Sequence, residues 1–371
     1  LTERAEGLKF STRIHGGFLK CTFTVSLSLA DSWLYIAENA KVAGRHFCRV
    51  VIYEEQRVIW EGRLMDIALS LQSSGTGGGF SGVKITALGY WSSLKDQFYS
   101  DDDAGRTDWT SGSHTTDDII KEMLTEECPS INSDQSNITA NSRDVAGINL
   151  SSREYPQDII VKKLAPLSDS DNGIWQFAIW ENRIPYWSPR NLTTLDYRIK
   201  LSDTGGIQLK QSAMELRNAV TPSVGGTEGT TVTDAISLTF YPRREFLFDL
   251  PTGANANSQG DASSTLSTER SNPVQTSSFA ISGHVMSALA GNTGSGLIEV
   301  PKWRIRAGQY IRIDDLVPAS ISSPTLDRLR TFQIMETDYD VESDTIIIQP
   351  DSLPRSLNSI LYDLGALESA R

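Results

Sequence analysis

From Leu19 onward the chain alternates apolar and polar residues almost without error: Leu19, Cys21, Phe23, Val25, Leu27 and Leu29 share one parity, and Lys20, Thr22, Thr24, Ser26 and Ser28 the other. Successive side chains of a strand point to opposite faces, so this pattern predicts a long strand with one buried and one wet face. Such a strand needs neighbours, and the following segments supply them. Residues 49–53, a polar turn at Glu54, Glu55 and Gln56, and residues 58–64 read as a hairpin whose second strand continues to Leu71. Residues 83–88 form a further strand, and Tyr90-Trp91-Ser92-Ser93-Leu94 opens a short helix. Residues 1–97 are therefore expected to form a strand-rich domain closed by a helix.

The composition shifts after Tyr99, and residues 98–200 read as an α+β unit. Thr115, Thr116, Asp117 and Asp118 precede Ile119, Ile120, Met123 and Leu124, which gives a cap, first-turn acids and apolar residues at helical spacing up to Cys128-Pro129. A second helix is expected from Tyr155-Pro156, with Pro in its first turn and Ile159, Ile160, Val161, Leu164 and Ala165 along it. Residues 174–180, the turn Glu181-Asn182-Arg183 and residues 184–187 make an aromatic hairpin. A second β region follows in residues 201–250 and 290–371. It is interrupted over 251–289 by a polar loop, Leu250 to Gln275, and a short helix carrying Phe279, Val285, Met286 and Leu289 and ending near Gly291. Strands are expected at 297–300, 308–313, 331–339 and 344–350, with a closing helix at 356–361. This order repeats that of residues 44–52, 58–71, 83–88 and 91–94, which suggests a duplicated β unit. Two unrelated meanders of similar length would give the same pattern. The fold class expected is α+β, mainly β.

At 371 residues the chain is long enough for two or three domains. Lys and Arg number 34 against 46 Asp and Glu, a net charge of −12, which disfavours a general nucleic-acid-binding surface. Hydrophobic residues at 39% and charged residues at 22% are ordinary globular usage, so the chain is expected to fold. Cys21, Cys48 and Cys128 are odd in number and lack CxxC spacing, and they read as small buried apolar residues rather than a disulfide or zinc framework. No run approaches the ~18 apolar residues of a membrane-spanning helix, and the first residues lack a signal-peptide core. The chain is expected to be soluble and made in the cytoplasm.

The search for chemistry nominates no catalytic, cofactor-binding or metal-ligating residue. His15, His46, His114 and His284 have no partner at ligand spacing. Gly75, Gly77, Gly78 and Gly79 lack the Lys-Ser/Thr pair of a phosphate cradle and read as a hairpin tip. Asp101, Asp102 and Asp103 repel one another and read as a solvated run, with a calcium site as the alternative. Trp175, Trp180 and Trp187 could stack on a sugar or a base, but Trp175 and Trp180 differ in parity along one strand, which favours core and interface packing. A carboxylate pair for glycoside cleavage is singled out by no spacing.

Several phrases together resemble the minor tail proteins, or baseplate and tail-tip hub proteins, of long non-contractile-tailed bacteriophages. They are Lys9-Phe10-Ser11-Thr12-Arg13-Ile14-His15-Gly16-Gly17-Phe18, Val58-Ile59-Trp60-Glu61-Gly62-Arg63-Leu64 and Ile85-Thr86-Ala87-Leu88-Gly89-Tyr90-Trp91 near the start. Trp175 to Arg190 and Glu215-Leu216-Arg217-Asn218-Ala219-Val220 match the middle, and Glu336-Thr337-Asp338-Tyr339-Asp340 with Pro354-Arg355-Ser356-Leu357 match the end. The resemblance implies two tube-like β-barrel or sandwich domains with an inserted α+β domain, in a structural virion protein related to the contractile-phage hub. It further implies a homotrimer at the tail tip that meets the tail tube or distal tail protein above and a tip, fibre or spike protein below. Such a hub would adapt six-fold to three-fold symmetry, with DNA passing through its lumen at ejection. No cofactor and no enzymatic activity are implied. The other readings are a hexameric distal tail or tube-terminator protein and, from another class, a carbohydrate-binding or cell-wall-degrading tail protein.

Overall fold

The computed structural model describes residues 5–25, 31, 48–72, 79–110, 112–140, 148–165, 168, 175–189, 194–211, 216–250, 260, 263, 274–288, 298–316 and 330–351. Leu27, Leu29, His46, Gly75 to Gly78, most of the 250–275 loop, Leu289, Gly291 and the 356–361 helix lie outside the described residues.

The alternating run becomes β2 (Gly16–Val25), paired with β1 (Ala5–Arg13) across a turn at Ile14 and His15. Cys21 and Val25 of its apolar parity are buried, while Lys20 is exposed. The strands β3 (Arg49–Glu54), β4 (Arg57–Gln72) and β5 (Gly79–Leu88) form the expected meander, and β5 returns against β2. The sheet order is thus β1-β2-β5-β4-β3, antiparallel throughout.

A 3-10 turn at Tyr90–Lys95 leads to α1 (Thr116–Glu127) and to α2 (Pro156–Ile159), which widens into a π turn over Ile160–Leu164. These helices bury Ile119, Ile120, Met123, Ile159, Ile160 and Leu164 against the hairpin of β6 (Trp175–Ile179) and β7 (Pro185–Pro189). The next strand, β8 (Tyr197–Lys200), pairs instead with the C-terminal region.

The chain then runs through β9 (Thr204–Gly205) and β10 (Leu209–Gln211). A separate small sheet follows, made of β11 (Ala219–Val224), β12 (Thr227–Glu228), β13 (Val232–Thr233) and, after α3 (Ala235–Phe240), β14 (Glu245–Leu250), which lies parallel to β11. Residues 219–250 therefore form a sheet of their own, not strands of the main sheet. The chain returns as β15 (Val274–Thr276), pairing β10, and β16 (Phe279–Ile281), pairing β9.

The helix expected around Phe279 and Met286 does not form; strands β16 and β17 (Met286–Ser287) stand there instead. Phe279 and Ile281 alternate around Ala280 and are buried opposite Ile348 and Ile346, so sheet pairing outweighs the loose helical spacing. The last strands are β18 (Tyr310–Asp314), β19 (Thr331–Asp340) and β20 (Thr345–Pro350).

These strands trace a second path, β9-β16-β20-β19-β18, also antiparallel throughout and in the same chain order as the first. The likeness reaches single residues. The Leu64 amide donates to Cys48 at 2.9 Å and the Ile334 amide to Gln309 at 2.9 Å, each where the first and middle strands of a meander part. The middle strand then bulges, at Met65 in β4 and at Met335 in β19. Gly7 and Gly206, each just after the start of its path, have φ of 63° and 79°.

Pairing of β1 with β19 joins the two paths into one 14-stranded sheet, which does not close into a barrel among the described residues. One apolar cluster runs beneath both, from Phe10, Phe18 and Trp60 to Phe279, Ile311, Phe332 and Ile348. Among the described residues no helix is long and apolar enough to cross a membrane.

Candidate functional site

The tryptophans do not form a platform. Trp175 and Trp187 are buried with their rings 5.3 Å apart, inside the core of the middle region. Trp180 faces the other way and meets the edge of Phe18 at 5.0 Å, under the main sheet. Parity along the strand separates them, as the alternation requires.

The acidic run is tied into the fold. Asp101 accepts a hydrogen bond from the Leu150 amide at 3.3 Å, with its pKa raised by burial, and Asp103 pairs with Arg153 at 3.2 Å, so the run staples residues 100–106 to 148–154. His15 is buried in the β1–β2 turn, and His114 stands edge-on to Trp109 at 4.8 Å. His284 pairs with exposed Glu299, whose hydrogen bond raises the imidazole pKa. Cys21 and Cys128 are buried and Cys48 is exposed, so the expectation of three buried thiols fails at Cys48, which lies at the open end of β3. Among the described residues no group of three or more His, Cys, Asp or Glu is placed to hold a metal ion.

What the fold does bring together is a three-way junction at the β6–β7 turn. Trp180, Glu181, Asn182 and Arg183 cross this turn, with φ of 59° at Asn182 and 63° at Arg183. Glu181 forms an ion pair with Arg306 of the C-terminal region, and that guanidinium lies 5.1 Å over Phe18 and 5.2 Å over Trp180. The Asn182 amide donates to Glu61 of β4 at 2.7 Å, and Arg49 of β3 donates to the same carboxylate at 2.8 Å. Asn132 binds the backbone of the turn twice, at 3.0 Å to the Asn182 carbonyl and 3.0 Å to that of Arg183. One four-residue turn thus holds the N-terminal sheet, the C-terminal path and the middle region in a single arrangement.

The contact is close because Gly17 lets it be so: β2 runs parallel to β6 there, and a Cβ on Gly17 would stand 2.3 Å from the Ile179 carbonyl oxygen. Sequence reasoning noted the turn but missed its partners. The signal for one of them was present, since Glu61 is a lone acid directly after the apolar run Val58-Ile59-Trp60, and a fully buried carboxylate needs partners. Arg306 carries no comparable signal.

The second arrangement is the seam between the two paths. Along it Lys9 pairs with Asp340 at 2.8 Å and Arg13 with Glu336 at 2.9 Å on the wet face. On the buried face the hydroxyls of Thr12 and Thr337 meet at 2.7 Å, the Ala307 amide donates to Thr12 at 2.9 Å, and Phe10 packs on Tyr339. Junction and seam are both binding arrangements in which carboxylates and cations neutralise one another, suited to fixing geometry.

No protein-family model matches the sequence, and no curated protein matches it. Solved structures do. A 43 kDa tail protein of prophage MuSo2 from Shewanella oneidensis is similar at 12% identity and TM-score 0.55, over 93% of this chain and 91% of that one. A tail protein from Neisseria meningitidis MC58 is similar at 8% identity and TM-score 0.57, over 98% of this chain and 95% of that one. The prophage tail protein gp18 from Listeria monocytogenes EGD-e is similar at 13% identity and TM-score 0.54, over 98% and 94%. The chain has, along nearly its whole length, the fold of these prophage tail proteins.

Proposed function

We propose that the chain is a structural protein of a phage tail, the hub at the tail tip or baseplate, and that it works as a homotrimer. The observation that carries this reading is the pair of five-strand paths with one order, one bulge and one bridging hydrogen bond each. Three chains carrying two such units present six similar surfaces, which can meet a hexameric tube on one side and a three-fold tip on the other. The fold shared with prophage tail proteins supports the tail assignment.

In this reading residues 1–97 are one tube-like unit, residues 201–211 with the region from 274 onward are the other, the small sheet of 219–250 is an insertion in it, and 98–200 is the accessory unit, with β8 lent to the second path. The partners are other copies of the chain, the tail tube or distal tail protein and a tip, fibre or spike protein. The hub closes the tube until ejection, when DNA passes through, and a net charge of −12 suits a wall that must not retain it. The function is geometric and needs no cofactor.

The test is the solution mass by light scattering, followed by symmetry classes in electron micrographs. A trimer with six similar lobes is expected. A hexamer would replace the hub with a distal-tail or terminator role, and a stable monomer would overturn the reading. Zymography on cell-wall substrate is expected to show no clearing.

A further inference from the structure

We infer that the seam inside one chain is repeated between chains: residues 204–211 of one copy add, antiparallel, to the outer edge of residues 64–70 in the next copy. The inference rests on the trimeric hub reading for its second copy, and deepens it by naming the strands that close the ring.

The argument starts from the edges of the two middle strands. β19 gives one edge to β20; its other edge holds β18 at residues 331–333 and then β1 at residues 336–340. β4 gives one edge to β5, and its other edge holds β3 only as far as Arg63. From Leu64 to Ser70 that edge has no strand partner among the described residues. It is the place that β1 fills on β19.

The opening strands of the paths complete the comparison. β1 has β2 on one side and β19 on the other. Its counterpart, β9 continued by β10, has β16 and β15 on one side in a single register, Gly205 opposite Ala280 and Leu209 opposite Thr276. On the other side it has no strand partner among the described residues. One seam of the pair is filled within the chain, and both halves of the other lack a strand partner among the described residues.

These two halves are not paired with each other within one copy. The path between them runs β9-β16-β20-β19-β1-β2-β5-β4, which places them at opposite ends of an open sheet. Neither 64–70 nor 204–211 contains a proline, and backbone edges of this length are ordinarily covered. A contact between two different surfaces closes a ring of three when each copy is turned by a third of a circle from the last.

The equivalence also sets the register. Phe23 lies opposite Ile85 and Phe279 opposite Ile348, each in the strand pair next to its meander. Aligning them puts Leu209 in the place of Ser11, while the shared bulge puts Ala68 in the place of Asp338. Ser11 faces Asp338 within the chain, so Leu209 faces Ala68 of the next copy. That register puts Gln211 opposite Asp66, in the place that Arg13 and Glu336 hold in the filled seam.

The test is a double variant, Ala68→Cys with Leu209→Cys, in a Cys48→Ser background. Oxidation is expected to link chains into covalent dimers and trimers on a denaturing gel, while each single variant runs as a monomer. Amide exchange of the unmodified protein needs no variant to fold: residues 64–70 are expected to exchange at least tenfold more slowly in the assembly than in chain dissociated by dilution. A trimer in which 64–70 exchanges as fast as in the dissociated chain overturns the inference and leaves the hub reading standing. Protection of 64–70 without a cross-link overturns 204–211 as the occupant. A chain that stays monomeric at every concentration overturns the hub reading and this inference together.

Discussion

Individual side chains divide into those whose role follows from burial and those whose role follows from a neighbour. Burial pushes the thiols of Cys21 and Cys128 up to about 12, whereas Cys48 is exposed. One thiol per chain is therefore expected to react with a disulfide reagent at pH 8 in the native monomer, and all three after denaturation. Asp196 is held by the Tyr310 amide at 2.7 Å, but burial raises its pKa above the ordinary 3.8. In the window just above that value the native state keeps a proton that the unfolded chain has released, so this group's contribution to stability falls as pH rises. Asp196→Asn keeps an acceptor for the amide and removes the buried charge; it is expected to raise the urea midpoint at pH 7 and to flatten the pH dependence in that window. Gly17→Ala meets both a φ of 77° and the Ile179 carbonyl, and a loss of more than about 2 kcal/mol is expected in urea unfolding.

At the level of elements, strands with strict alternation were legible to within a few residues, because period two survives whatever the strand packs against. The β16 segment was not legible as a strand, since three residues are too few to show a period and their partner, β20, lies far along the chain. The β6–β7 turn was legible as a turn but not as a junction. Its importance can be measured from two sides. Glu61→Ala leaves the Asn182 amide without its acceptor and is expected to cost about 2–3 kcal/mol. Trp180→Ala removes the ring between Phe18 and Arg306 and is expected to cost about 2–4 kcal/mol. A double-mutant cycle between Glu61 and Trp180 is expected to show coupling, because both hold the same four residues.

For the molecule as a whole, one sheet and one apolar cluster run under both paths, and the junction clamps the middle region to each. Unfolding of the dilute chain is therefore expected to be a single calorimetric transition, with van't Hoff and calorimetric enthalpies in agreement. Glu181→Ala cuts the ion pair to Arg306 and is expected to separate that transition into two, with the middle region melting apart from the sheet. Two transitions already present in the unmodified protein would mean that the three regions are only loosely coupled.

Local pattern was enough to establish a mainly β chain, the meanders at 49–88 and 310–350, the two middle helices and the opposed faces of Trp175 and Trp180. Each of these depends on residues within a turn or a strand of one another, where periodicity and turn chemistry act directly. Pairings between distant segments were settled only by folding. The β1–β19 seam joins residues more than 300 apart, Arg306 reaches Glu181 across 125, and β8 leaves its own region for β18. Such pairings carry little signature in either partner's neighbourhood, because an edge strand's backbone accepts many sequences and a guanidinium can serve any buried carboxylate within reach. The edges at 64–70 and 204–211, which lack a strand partner among the described residues, belong to the same class, which is why the proposed ring contact emerges from the topology and not from any motif.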